Sequence, residues 1–247
     1  MVAAVRSPDD VAQRLPRDER MLAVRLDLED PASIKDAATT ILDTVGAPAG
    51  IVHNAGIAAV GALEELPMAK WEQMFATNFL GPVRLTKELM PAMRAAGRGR
   101  IVLVSSMGAT RGMPGIAAYS AAKAALERWG ESLAFEVAPF GMGVTVLVAG
   151  SFKTDILELT PTYADRDGPY APMHEGLETS GPKFLRFAGR PEKFAPAVER
   201  ALNDTSPFTR RGVGFDAKLL LVGNRLMPSG LMQRVTTRAI GIPRPRP

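Results

Sequence analysis

A chain of 247 residues, 46% hydrophobic and 23% charged, is long enough to bury one sizeable α/β core. It has no cysteine, which excludes disulfides and thiolate metal sites and suits a cytoplasmic setting, and its two histidines are too few and too far apart for a metal centre. The net charge of +4 is scattered, with no dense basic run interleaved with aromatics, so nucleic acid is not an expected partner.

The chain opens on an apolar strand, Met1 to Val5, followed by Arg6 and Ser7, without the basic stretch and long apolar core of a signal peptide. No apolar run reaches the roughly 18 residues of a membrane span. A second strand, Met21 to Leu26, closes on Asp27. Asp30-Pro31 is a helix start, a carboxylate cap before a proline in the first helical position. Ile34, Ala38, Ile41, Leu42 and Val45 mark its apolar face, and Gly46 fits the stop.

The next strand, Gly50 to His53, leads into Asn54-Ala55-Gly56. Pro67 opens a helix that carries Trp71, Met74, Phe75 and Asn78; Gly81-Pro82 should bend it before Val83, Leu85, Leu89 and Met93 continue the pattern. Gly97 to Gly99 turns into the strand Ile101 to Val104, and a helix around Tyr119 runs to about Val137, ended by Pro139 and Gly141. Val144 to Val148 is a further strand. From about Asp155 to Arg190 proline, tyrosine and glycine break the regularity, which reads as an irregular lid. A helix resumes with Phe194, Val198, Ala201 and Leu202, and residues 241–247, ending in Arg244 to Pro247, read as a flexible tail. Strands alternating with helices predict a single α/β domain with a doubly wound parallel sheet.

Tyr119 and Lys123 stand four residues apart and share one helix face. Ser106 leaves the end of a buried strand and can reach the same pocket. A tyrosine ordinarily titrates near ~10, and a neighbouring ammonium lowers that value by favouring the phenolate. Such a phenol is a usable general acid or base for a hydroxyl or carbonyl carbon, with the serine holding the substrate oxygen.

Asn54-Ala55-Gly56, Asn78, Ser106, Tyr119 and Lys123, with Asp27 closing an earlier strand, come in an order and spacing that resembles the short-chain dehydrogenase/reductase family from about Met1 to Thr154. The resemblance implies a Rossmann-like fold and an NAD(P)-dependent oxidoreductase that interconverts a secondary alcohol and a ketone or aldehyde. It makes Tyr119 the general acid or base. Lys123 lowers the tyrosine pKa and binds the nicotinamide ribose, Ser106 polarises the substrate oxygen, and Asn78 holds a water that links Lys123 to solvent. Asp27, Asn54, Ala55 and Gly56 then line the adenosine side, and Thr154 touches the carboxamide. Arg6 follows what reads as the family's second strand, where a basic residue suits a 2′-phosphate, so NADP is expected over NAD. His53, in place of the family's usual asparagine, reads as packing.

Lid residues Tyr163, Tyr170, Met173 and Phe184 suggest a mostly apolar small-molecule substrate. The family pairs subunits through the helices that carry Asn78 and Tyr119, so a homodimer or homotetramer is expected. The stripe Leu231, Met232, Val235 and Ala239 beside Arg234 and Arg238 reads as core or pocket cover rather than a membrane face.

One departure is larger than the rest. The family's first strand, glycine-rich turn and helix, which cradle the pyrophosphate on backbone N–H groups, have no counterpart here. The fold is therefore expected to be N-terminally incomplete, with unpaired strand edges. The reading favoured on sequence is that Met1 is an internal start of a longer enzyme. The competing reading is a degenerate family member, a non-catalytic interaction protein on a truncated dinucleotide fold. A smaller departure is Ala149-Gly150 where the family has Pro-Gly.

Overall fold

Short apolar strands separated by capped amphipathic helices assemble as parallel β-α units. The computed structural model describes residues 1–7, 20–186 and 188–241, without the side chains of residues 157, 158 and 183–185. The expected tail beyond residue 241 and the Phe184 side chain lie outside these residues.

Strands β1 (Val2–Val5) and β2 (Leu22–Arg25) come first, then helix α1 (Pro31–Val45). The Asp30 carboxylate accepts from the Ala32 N–H at 2.9 Å, and Gly46 closes the helix at φ +73°, its N–H donating to the Leu42 carbonyl at 3.1 Å. Next are β3 (Gly50–His53), β4 (Val60–Gly61) and the helix pair α2 (Met68–Phe75) and α3 (Gly81–Ala95), joined by a π-helical turn over Ala76–Leu80. The π turn lies where Gly81-Pro82 predicts a bend. Pro82 has no N–H to return to the Asn78 carbonyl four residues earlier, so the ordinary helical ladder is broken there.

After β5 (Gly99–Ser106) come α4 (Ala117–Val137), β6 (Met142–Ala149) and β7 (Thr162–Tyr163), then α5 (Ala171–Leu185), α6 (Ala195–Leu202), β8 (Phe208–Val213), α7 (Phe215–Leu226) and α8 (Ser229–Ile240). The stretch expected to be irregular thus holds a helix. Pro172 sits in its first turn, where no intrahelical N–H is needed. Its buried His174 is hydrogen-bonded to the Glu65 carboxylate at 2.6 Å, a tertiary contact that the local composition does not reveal.

The main sheet runs β3-β5-β6-β8, all parallel, with Gly99 opposite Met142 through Ser106 opposite Ala149. Strands β1 and β2 form a separate parallel pair, and β4 pairs with β7. Among the described residues no strand joins β1 to β3, and Val52 on β3 is exposed.

Side chains hold the β1-β2 pair to the body. Val24, Leu26 and Leu28 share one core with Ile34, Leu85, Leu89, Ile101, Leu126 and Val146. Thr77 Oγ1 and Gln73 Nε2 donate to the Glu29 carboxylate at 2.9 and 3.1 Å. Gly81 lets α3 approach the loop after β2, because a Cβ there would stand 2.7 Å from Leu28 Cβ and 2.8 Å from the Leu28 carbonyl oxygen. Gly81→Ala is therefore expected to destabilise the fold by about 1–3 kcal/mol. A lower urea midpoint with an unchanged slope would show it.

Candidate active site

The carboxyl ends of parallel strands are where open α/β sheets bind ligands, and β3, β5 and β6 end together here. Ser106 is the last residue of β5, and its Oγ accepts from the Gly108 N–H at 3.2 Å, capping the helical turn Met107–Thr110. Tyr119 is in the first turn of α4, half-buried, and a Cβ at Gly108 would stand 3.6 Å from both Ser106 Oγ and Tyr119 Cε1, so the two side chains are neighbours. Lys123, one turn further on, is buried, and its Nζ donates to the Val104 carbonyl at 2.9 Å.

Asn78, fully buried in the π turn, makes a reciprocal pair with Ile57: Nδ2 donates to the Ile57 carbonyl and Oδ1 accepts from the Ile57 N–H, each at 2.8 Å. This pair holds the segment after β3 against the α2–α3 helix. A Cβ at Gly56 would stand 3.2 Å from both Asn78 Oδ1 and Lys123 Nζ, so the glycine lets the backbone reach the lysine. Ser106, Tyr119, Lys123, Asn78 and Gly56 thus converge.

Burial pushes the Tyr119 phenol above its ordinary pKa, against an opposing pull from the neighbouring Ser106 hydroxyl. The direction is upward, whereas the sequence led to the expectation of a phenol lowered by Lys123. The lysine Nζ is directed to the Val104 carbonyl. Burial holds Lys123 itself down to about 8. His53 is lowered to about 3, by burial first and by Lys123 second. Its Nε2 is hydrogen-bonded to Thr86 Oγ1 at 2.7 Å and its ring is tilted against Trp129, the packing role expected of it.

The other residues singled out by sequence are at strand ends but not in this cluster. Arg6 is exposed just past β1. Asp27 follows β2 half-buried; its N–H donates to Ser33 Oγ and its Oδ1 accepts from the Glu29 N–H, both at 3.0 Å, so part of its carboxylate shapes a turn. Asn54 and Ala55 are exposed after β3, and Thr154 is exposed in the loop after β6.

Two sets of residues escape a reading of the sequence. Buried Glu127 accepts from Ser105 Oγ at 2.7 Å and from Arg210 Nε at 2.9 Å, and Arg210 Nη2 donates to Thr110 Oγ1 at 2.8 Å. This network ties α4, the end of β5, the turn after Ser106 and β8 together directly below the cluster. Its only local signal is that Glu127 lies four residues beyond Lys123 on the same helix face. Asp216 Oδ2 accepts from the Ser151 N–H at 2.7 Å and holds the loop after β6 to the start of α7. Any side chain at Gly150 would collide with that carboxylate.

The family model described as short chain dehydrogenase matches residues 2–163. The chain belongs to the short-chain dehydrogenase/reductase family. Among its relatives is the uncharacterized oxidoreductase YbbO of Escherichia coli K12, 32% identical over 237 residues, which are 95% of this chain and 84% of the relative. A 3-ketodihydrosphingosine reductase of Bacteroides thetaiotaomicron is 32% identical over 221 residues, 87% of this chain and 80% of that one. A short-chain dehydrogenase from Streptomyces avermitilis superposes with a TM-score of 0.78 at 32% identity, covering 95% of this chain and 85% of its own. The Rossmann-like fold and the oxidoreductase family are those expected.

The buried lysine makes a pH prediction for this family member. The folded state disfavours the ammonium, so the cost of holding it is full below pH 8 and vanishes as pH rises towards the unfolded value of 10.5. Unfolding free energy should therefore rise across that window, by on the order of 3 kcal/mol. Lys123→Met should flatten the rise in urea titrations run at each pH.

Proposed function

We propose that the chain is an NADP-preferring oxidoreductase that interconverts a secondary alcohol and its ketone or aldehyde. The observation that carries this is the meeting of Ser106, Tyr119, Lys123, Asn78 and the Gly56 backbone at the ends of β3 and β5. These residues fit the nicotinamide-ribose half of a dinucleotide: Gly56 presents bare backbone beside an ammonium that can donate to ribose hydroxyls. The pyrophosphate half has no glycine-rich turn to receive it in this sequence.

A nicotinamide dinucleotide, when bound, supplies or takes up the hydride. The residues of the chain handle the oxygen and its proton. Ser106 and Tyr119, neighbours around Gly108, can both address one substrate oxygen. Burial keeps the phenol protonated at neutral pH, the form that donates a proton to a carbonyl oxygen during reduction. In the oxidative direction the same oxygen accepts the proton. Arg6 supports NADP, since an exposed guanidinium past β1 can pair with a 2′-phosphate. Tyr163 shares an apolar cluster with Tyr119, Ile57 and Trp71, which supports a mostly apolar substrate, and the name of the Bacteroides relative points to a ketone. Self-association as a homodimer or homotetramer belongs to this reading, and Phe135 is exposed on α4 for it.

Among the described residues no strand links β1 to β3, which favours a second reading, a non-catalytic interaction protein. An NADPH fluorescence titration separates the two: saturable binding supports the enzyme, and no binding leaves the interaction protein. Given binding, a screen of apolar ketones should find turnover that Tyr119→Phe lowers by about 10²–10⁴-fold with NADPH affinity kept. Arg6→Ala should weaken NADPH binding by about tenfold while leaving NADH unchanged, as expected for one lost hydrogen bond to a charged group. Equal effects on both cofactors would count against the phosphate role.

A further inference from the structure

Helix α7 carries its bulky apolar residues outward. Phe215, Leu219, Val222 and Leu226 are 78%, 61%, 55% and 75% exposed. Their spacing of four, three and four residues puts them on one helix face. On α8, Met232 is buried as the sequence reading expects, but Leu231 and Val235 are exposed. The apolar surface of this hairpin therefore faces away from the core.

Its charge has one sign. From Ala217 to Gly241 the sequence contains Lys218, Arg225, Arg234 and Arg238 and no aspartate or glutamate. That surplus of four equals the net +4 of the whole chain, so the remaining residues sum to zero. The acid at the start of α7, Asp216, is turned inward, accepting from the Ser151 and Ala217 N–H groups. Among the described residues none of the four cations is in an ion pair with a carboxylate.

We propose that the α7–α8 hairpin docks this protein on an anionic lipid surface, with the Phe215–Leu226 ridge at the acyl boundary and the four cations among the headgroups. An amphipathic helix with an apolar ridge and basic flanks is suited to lie in that interface. Docking here means lying on the surface, since no helix among the described residues is long and apolar enough to cross a membrane. A second copy of the chain suits the face poorly. A two-fold contact through the ridge would set Lys218 and Arg225 against their own counterparts. The exposed ridge, which the sequence reading did not single out, is the observation that sets this proposal against the expectation from sequence. The hairpin is also braced to the segment after Ser106, because Arg111 Nη2 donates to the Ser229 carbonyl at 2.9 Å. The proposal stands on the surface alone and does not depend on the catalytic reading.

The test is co-sedimentation of the full chain with vesicles of phosphatidylcholine, alone or mixed equally with phosphatidylglycerol. Binding to the mixed vesicles only, weakened by added salt, is the expected result. The double change Leu219→Asp and Leu226→Asp should abolish it, with circular dichroism unchanged because both positions are exposed. Lys218→Gln with Arg225→Gln should weaken binding by about thirtyfold, the equivalent of about 1 kcal/mol per cation at an anionic surface. Failure to bind either vesicle overturns the proposal, as does binding that the α7 changes leave intact. Sedimentation velocity supplies a third outcome: self-association that the leucine changes dissolve would make the ridge a contact between copies and overturn the lipid assignment.

Discussion

The seam between α4 and β5 is the constraint on which the rest of this molecule depends. The helix lies along the strand closely enough that a Cβ at Gly130 would stand 2.5 Å from Leu103 Cδ1. Towards its N-terminus the same face presents Glu127 to Ser105 and then Lys123 to the Val104 carbonyl. Each polar side chain buried there must find a partner, since an unsatisfied group in such a setting costs about 1–3 kcal/mol and a charged one more. Successive turns of one helix meet that demand on successive residues of one strand. Ser106 and Tyr119 lie at the open end of the seam, so their relative position follows from packing further down.

That arrangement also decides the electrostatics. Lysine and tyrosine on one face suggest a cation poised to lower the phenol. The seam instead buries the lysine and half-buries the tyrosine, so desolvation pushes each towards its neutral form: the lysine falls to about 8 and the phenol rises. The phenol therefore keeps its proton at neutral pH. The adjacent His53 stays neutral for the same reason, being buried and near the same ammonium. Desolvation, more than pairwise attraction, sets the protonation states.

Much of this was legible in the sequence wherever the determinant was local. Asp30-Pro31, Gly46 and Gly141 set element ends through short-range backbone chemistry, and the spacing of Tyr119 and Lys123 put them on one face. Features determined at long range were not legible. Glu127 meets Arg210 across 83 residues, and His174 meets Glu65 across 109. Helix α5 was hidden because Pro172 and Pro182 look like breakers, although the first occupies a turn that tolerates it. The outward turn of the α7 stripe was equally hidden, since periodicity tells which residues share a face and not what that face meets.

The divided sheet makes the cofactor side of the proposed site physically different from the catalytic side. Ser106, Tyr119 and Lys123 are held by paired strands, a buried helix and the Glu127–Arg210 network. Arg6 and Asp27 stand on a two-stranded unit that joins the body through side chains of α1 and α3, Leu28 against Gly81, and Glu29 with Thr77. A parallel pair gains independent stability only by packing. Its position relative to the catalytic cluster is therefore set by the apolar contacts of Val24, Leu26 and Leu28 rather than by a continuous backbone ladder. Any ligand that reaches from Arg6 to Lys123 must bridge two units, and its binding would add to folding stability the coupling that the strands do not supply.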